Sequence, residues 1–302
     1  MPYRQAYLHG FASSSLSYKG QALRRYYAER SAVMHTPDLN YPSFAELSYT
    51  GMLEAFDRFD AELDAESESA VPGRARWRLV GSSMGGYVAA RWAQLHGARV
   101  DRLLLLCPAF DLVERWPAMI GEQAFARWRE QGTHPYPDAS GQIVDVHYGL
   151  YTDAEQHPAR PRVECPTVII HGTRDESVPI ACSRSYAAAN PHVELIEVDD
   201  DHSLAASLET IERITHAFLL EPRPRLLWDY RGPQAQGTAE HFLRHLDEFL
   251  EREGFEGCET GVQTIAPGTH SACFCVCAEG QVAKLGPALR PHRLDHWSGV
   301  SG

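Results

Sequence analysis

From residue 3 to about residue 220 the chain alternates short apolar runs with amphipathic stretches of helical period. The apolar runs are Gln5 to Leu8, Ala32 to Leu39, Trp77 to Val80, Val100 to Cys107, Thr167 to Ile170 and Val193 to Val198. Leu103 to Leu106 and Val168 to Ile170 are unbroken in branched residues, the pattern of strands covered on both faces. Between the runs lie candidate helices at Tyr18 to Arg30, Phe44 to Leu63, Met84 to His96, Ile180 to Ala189 and Ser203 to Leu220. Such alternation builds βαβ units, so the expected class is α/β, a parallel sheet with helices on its faces. The acidic, serine-bearing Asp60 to Ser69 stretch reads as a solvated helix end and loop.

Two regions depart from this rhythm. Asp111 to Glu164 holds no clear strand but carries Trp116, Trp128, Tyr136, Tyr148 and Tyr151. A structureless loop of that length is rare in a compact domain, so a helical lid insertion is expected at about 111–164. Trp116, Trp128 and Tyr148 are its candidate substrate-pocket residues, although any single one of them serves equally well in a small satellite core. After the Glu221-Pro-Arg-Pro224 turn, residues 225–302 read as strand, helix, strand, strand, helix, a small α+β domain separate from the 1–221 domain.

The longest apolar stretch, Leu103 to Phe110, is eight residues long and contains a proline, far short of the ~20 a membrane helix needs. An export signal is not expected ahead of a strand that starts at Tyr3, and a cytoplasmic protein follows. Forty acidic against 28 basic residues give a net charge of −12, which argues against nucleic acid or anionic lipid as partners. Lys19 and Lys284 are the chain's two lysines, an arginine bias that reads as compositional habit. The seven cysteines are expected to be reduced.

Gly81-Ser-Ser-Met-Gly85 has the form G-x-S-x-G, with an apolar strand entering it and an amphipathic helix leaving it. A sharp strand-to-helix turn lifts the middle residue, Ser83, above the carboxyl edge of the sheet, and small neighbours permit the close backbone approach. Serine needs a base to become nucleophilic. Asp175 follows the buried run Val168 to Ile170, and His202 follows the strand Val193 to Val198, so both fall at the edge that carries Ser83. In that order His202 accepts the serine proton and Asp175 orients the imidazole. The early Tyr7-Leu-His-Gly-Phe11 segment brings the Phe11 N–H to pair with that of Met84 as an oxyanion hole. His9 reads as a residue that holds its loop by a backbone hydrogen bond.

These four segments, in this order, resemble the α/β-hydrolase superfamily, and the His-Gly loop at the amino terminus is similar to the small bacterial YqiA-type esterases. The resemblance covers about residues 3 to 220 and leaves the last 80 or so unmatched. It implies hydrolysis of a small carboxylic ester or thioester through an acyl-enzyme on Ser83, with Asp175 and His202 completing the triad. It argues against haloalkane dehalogenases and epoxide hydrolases, which use aspartate where this chain has Ser83. Where many relatives place a glycine before the histidine, this chain has Asp199 to Asp201, read as solvated loop charges. Asp111 is the fallback acid.

Cys273, Cys275 and Cys277 alternate along a strand, while His241 and His245 are one helical turn apart. That strand is apolar on both faces, and the helix lacks the glutamate of H-E-x-x-H, so core packing is expected and no metal site. No cofactor is called for, and the partner is a small-molecule substrate. Carbon–carbon or peptide hydrolysis by the same triad stays open, as does a non-catalytic interaction protein on a hydrolase scaffold. The C-terminal domain could serve a homodimer or close over the active site.

Overall fold

A computed structural model describes residues 3–66 and 75–297. The chain forms two compact units, Met1–Glu212 and Arg213–Gly302. In the first, β1 (Tyr3–Leu8), β2 (Arg76–Ser82), β3 (Val100–Leu106), β6 (Thr167–Gly172) and β7 (Val193–Val198) form a parallel sheet in the order β1-β2-β3-β6-β7. The helices are α1 (Tyr18–Ala28), α2 (Tyr49–Glu66), α3 (Met84–Leu95) and α7 (Ile180–Ala189). Helix α3 packs on β1, β2 and β3, and α7 on β6 and β7.

The segment 32–39, expected as a strand, contributes a single parallel bridge at His35 on the edge of β1. Tyr7 N–H donates to the His35 carbonyl and His35 N–H to the Gln5 carbonyl, both at 2.8 Å. Pro37 has no N–H to continue that ladder, and the Leu39 N–H turns instead to His9.

Every residue of β3 is buried, which accounts for its unbroken leucines. The polar exceptions, Asp101 and Arg102, are paired: Asp101 accepts from Arg78 at 2.8 Å and from Arg102 at 2.9 Å. Around the sheet Phe56 packs on Trp77 and Trp92, with ring centroids 5.1 and 4.9 Å apart.

The acidic stretch is not uniformly solvated. Asp60 is buried, accepts the Trp77 indole N–H at 2.7 Å and pairs with Arg99. Helix α2 runs on through Glu66, and residues 67–69 lie outside the described residues. Asp60→Ala leaves the Trp77 indole N–H without an acceptor and strips Arg99 of its nearer carboxylate, Asp64 remaining at 3.3 Å, and is expected to cost about 2 kcal/mol, read as a lower urea midpoint. Alanine at the exposed Glu62 is the control, expected to move it by about 0.5 kcal/mol at most.

The insertion contains α4 (Leu112–Ile120), α5 (Glu122–Gln131) and α6 (Gly149–Ala154), and also an antiparallel hairpin of β4 (Thr133–Pro137) and β5 (Ile143–His147). The insertion, expected as a helical lid, therefore holds a short β-hairpin as well as its helices. Pro135 and Pro137 hide β4 in the sequence, while Asp138 builds its turn by accepting from the Ser140 and Gln142 N–H groups at 2.8 and 3.0 Å.

Helix α8 (Leu208–Thr215) ends in a π turn at His216–Leu220, shorter than the helix expected from Ser203. The second unit then runs β8 (Arg223–Arg231), α9 (Ala235–Arg252), β9 (Glu259–Ala266), β10 (His270–Val276), α10 (Glu279–Leu289) and β11 (Arg293–Trp297). Its antiparallel sheet has the order β11-β8-β10-β9, the βαββαβ arrangement of ferredoxin-like domains. Cys273, Cys275 and Cys277 are wholly buried and pack with Trp228, Leu246 and Leu285. His241 and His245 are exposed and meet each other, Nε2 to Nε2, at 3.2 Å.

Candidate active site

Strand β2 delivers the chain into a turn at Ser83, whose φ of 54° and ψ of −119° no ordinary L-residue prefers. Helix α3 starts at the next residue. The turn is pinned on both sides: Ser83 N–H donates to the Leu106 carbonyl at 2.8 Å, and the Ser83 carbonyl accepts the Ala109 N–H at 3.0 Å. A Cβ on Gly85 would lie 2.2 Å from the Leu8 carbonyl oxygen, so only glycine lets α3 begin against the end of β1.

His202 stands on the loop after β7 and reaches back over the sheet edge. Its Nε2 is 3.0 Å from Ser83 Oγ, and its Nδ1 is 2.7 Å from Asp175 Oδ2. Asp175 stands on the loop after β6, where its Oδ1 accepts the Ser177 and Val178 N–H groups at 2.9 and 2.8 Å. Burial alone would raise this carboxyl's pKa. Hydrogen bonds from His171 and His202, the Val178 N–H and the His202 charge outweigh burial and hold it well below the usual carboxylate range. An acid that stays ionised accepts the Nδ1 proton and leaves Nε2 with its lone pair toward the serine hydroxyl. In this tautomer, assigned from the hydrogen bonds, Nε2 accepts from the Ser83 hydroxyl at 3.0 Å.

The three aspartates ahead of His202 shape its loop. Asp199 pairs with Arg174 at 2.8 Å, and Asp201 accepts the Ser203 N–H at 2.8 Å. Asp200 is not a solvated charge: it is buried and accepts from the Ser207 N–H and hydroxyl at 2.9 and 2.8 Å. From α1, Lys19 Nζ donates to the Ser203 carbonyl at 2.6 Å. Burial pulls the Lys19 pKa down, and the charges of Cys107, Asp200, Asp201 and Asp175 oppose it. Asp111, the alternative acid, is held by Arg160 through three contacts of 2.7 to 2.9 Å and has no hydrogen bond to His202.

The His-Gly loop passes directly over the serine. A Cβ on Gly10 would come 3.1 Å from Ser83 Cβ and 3.7 Å from its Oγ, so the residue before Phe11 runs close against the serine. Phe11 N–H has no backbone acceptor among the described residues, and Met84, first in α3, has no intrahelical one. His9 is buried and anchors this loop. Its Nδ1 meets the Gly10 carbonyl at 3.0 Å and its Nε2 accepts the Leu39 N–H at 2.9 Å. The Asp38 carboxylate is 3.1 Å from the same Nε2, a bond that a protonated ring would make in place of the one to Leu39.

The Phe11 ring leads outward into an aromatic wall. Its centroid is 5.1 Å from Phe44, 5.0 Å from Tyr136 and 6.5 Å from Trp116, whose indole N–H donates to the Tyr136 hydroxyl at 3.1 Å. Trp128 is not a pocket residue. It has no exposed surface, donates to the Val146 carbonyl at 2.9 Å and forms the lid's core. Tyr148 stacks on Tyr151 at 5.4 Å and meets Trp128 edge-on, so its ring contacts are within the lid. The rings nearest Phe11 are instead Phe44 and Tyr136. Tyr136 stands out in the sequence among the lid aromatics, whereas nothing there marks Phe44. A separate cleft of about 280 Å³, lined by Tyr49, Tyr87, Leu112, Glu114 and His157, includes none of Ser83, Asp175 and His202.

Cys107, His171 and Asp175 place donor atoms within 4.8 Å of one another, the one such cluster among the described residues. Both His171 nitrogens are already engaged by Ser183 and Val178, and Asp175 is committed to His202, so the cluster is wired for protons rather than for a metal ion.

A parallel sheet with a serine elbow after β2, an aspartate after β6 and a histidine after β7 defines an α/β-hydrolase. Residues 5–219 match an uncharacterised protein family, UPF0227, and the chain belongs to it. It is 27% identical over 182 residues to the pimeloyl-[acyl-carrier protein] methyl ester esterase of Chromobacterium violaceum, a match spanning 49% of this chain and 70% of the relative. Among solved structures it is similar in fold to Est1E from Butyrivibrio proteoclasticus, with a TM-score of 0.56 at 18% identity over 73% of this chain and 87% of that one. Mouse α/β hydrolase domain-containing protein 10 is similar at a TM-score of 0.53 and 21% identity, over 70% and 87% of the two chains.

Proposed function

We propose that this α/β-hydrolase is an esterase that cleaves a small carboxylic ester or thioester through an acyl-enzyme on Ser83. The observation that carries the reading is the continuous contact from Ser83 Oγ to His202 at 3.0 Å and from His202 to Asp175 at 2.7 Å. Ser83 Oγ attacks the ester carbonyl while its proton passes to His202 Nε2. The Phe11 and Met84 N–H groups receive the developing oxyanion, aided by the positive end of α3. His202 then protonates the departing alcohol or thiol, and the same histidine activates the water that releases the acid. Residues 1–221 perform this chemistry without a cofactor, and 225–302 stand as a separate small domain.

The relative from Chromobacterium violaceum is named for hydrolysis of a methyl ester, which supports ester chemistry here. The half-exposed rings of Phe11, Phe44 and Tyr136, with Trp116 buried behind them, favour an apolar acyl or aryl group over a charged one. The test is a p-nitrophenyl ester series from acetate to dodecanoate, joined by the benzoate, after confirming that a fluorophosphonate labels Ser83. We expect kcat/KM to rise from acetate toward mid-length or aryl esters, each well-buried methylene contributing about 0.8 kcal/mol. A flat series would overturn the apolar pocket, and an unlabelled Ser83 the esterase reading itself. Among the described residues no helix is long and apolar enough to cross a membrane.

A further inference from the structure

His171 has no part in the chemistry above, yet it is completely buried next to it. It is the penultimate residue of β6, four positions before Asp175, in a His-Gly pair that mirrors His9-Gly10 at the end of β1. Its hydrogen bonds determine its tautomer. The Val178 carbonyl, 2.8 Å from Nε2, can only accept, so Nε2 carries the proton. Nδ1 is then a lone pair, and the buried Ser183 hydroxyl from α7 must donate to it at 2.7 Å. The same Nε2 is 3.2 Å from Asp175 Oδ2, the very oxygen that accepts from His202.

The geometry points to His171 as a positioning residue that shares the Asp175 carboxylate with His202, with Ser183 fixing its proton. This rests on the triad reading given above. The chain of hydrogen bonds then runs Ser183, His171, Asp175, His202, Ser83, drawn from α7, β6, the two loops and the elbow. The His171 N–H points chiefly at the Val178 carbonyl at 2.8 Å, but its hydrogen also lies beside Oδ2, 3.2 Å from Nε2, so Oδ2 presents less negative charge to His202 than a carboxylate facing it alone. His171 therefore holds the general base at lower basicity, and keeps its lone pair free for Ser83 at lower pH.

Without the second donor, Asp175 stabilises protonated His202 more strongly, and the acid limb of kcat/KM moves to higher pH. The other ionisable groups around this carboxylate and His171 are Cys107 after β3, Lys19 on α1, Asp200 and Asp201 on the His202 loop, and Glu197 on β7, paired with Arg184. All stay in place in the variants and cannot supply the shift.

The experiment is the pH profile of kcat/KM on a p-nitrophenyl ester for wild type, His171→Phe, His171→Gln and Ser183→Ala, with folding checked by near-ultraviolet circular dichroism. His171→Phe is expected to raise the acid-limb midpoint by about half a unit or more. His171→Gln, which keeps an N–H donor, returns it toward wild type. Ser183→Ala frees the tautomer and shifts it in the same direction by less, and it carries the test if phenylalanine prevents folding. Folded variants with wild-type profiles would make His171 a packing residue only. A shift to lower pH would mean that Asp175 had swung away from His202, and would also overturn the proposal. Ser83→Ala is run alongside. Turnover surviving in that variant removes the triad reading, whereas an inactive Ser83→Ala beside an unmoved His171→Phe removes this inference alone.

Discussion

Ser83→Ala is expected to lower kcat on a p-nitrophenyl ester by about six orders of magnitude, to whatever the oxyanion donors and binding alone still provide. His202→Ala should fall as far, and the double variant barely further, because base and nucleophile act as one unit. The structure adds a stability signature to this loss. Ser83 holds a φ of 54° that the sharp turn imposes, and alanine inherits the same strain. Glycine does not, so Ser83→Gly should be equally inactive yet more stable than Ser83→Ala by about 1 kcal/mol in urea unfolding. A nucleophile kept at the cost of stability is what separates an active site from a packing site. Turnover in Ser83→Ala within tenfold of wild type would remove Ser83 from the reaction.

The sheet and the neighbourhood of the serine are legible in the sequence because they rest on patterns with short reach. Buried parallel strands need unbroken apolar runs, which mark β3 and β6. Loops that follow such strands share one edge, and that rule alone is enough to bring Asp175 and His202 near Ser83. What the sequence hides depends on partners far along the chain. Asp60 looks like a surface acid until Trp77 and Arg99 fold onto it. Segment 32–39 is apolar enough for a strand, but Pro37 limits it to one bridge. The proline-bearing hairpin of β4 and β5 has no alternation to read. Trp128 and Trp116 are alike in sequence and both are buried, and only tertiary packing turns the first indole N–H to the Val146 carbonyl and the second to Tyr136 beside Phe11. His171 is in plain view one residue before Gly172, but its role depends on Ser183 and Val178, which the fold alone brings to its two nitrogens.

Two glycines on either side of the same contact should fail in different ways. At Gly85 a methyl group would meet the carbonyl oxygens of Leu8 and His9 at 2.2 and 2.4 Å, backbone atoms at the end of β1 that have nowhere to go. Gly85→Ala must push α3 off β1, and the expected cost is about 3 kcal/mol or more, a large share of a domain's total stability. At Gly10 the methyl group would meet the Ser82 carbonyl oxygen and Ser83 Cβ at 3.1 Å, a conflict that a loop relieves by moving a few tenths of an ångström. That small retreat carries the Phe11 N–H with it. Gly10→Ala should therefore fold with nearly wild-type stability and lose about a hundredfold in kcat, as expected when one oxyanion donor is displaced. Urea unfolding and steady-state kinetics on both variants decide the matter. If Gly10→Ala lost stability while turnover held, the Phe11 N–H would have no place in the oxyanion hole, and the donors would have to be sought elsewhere along the first turn of α3.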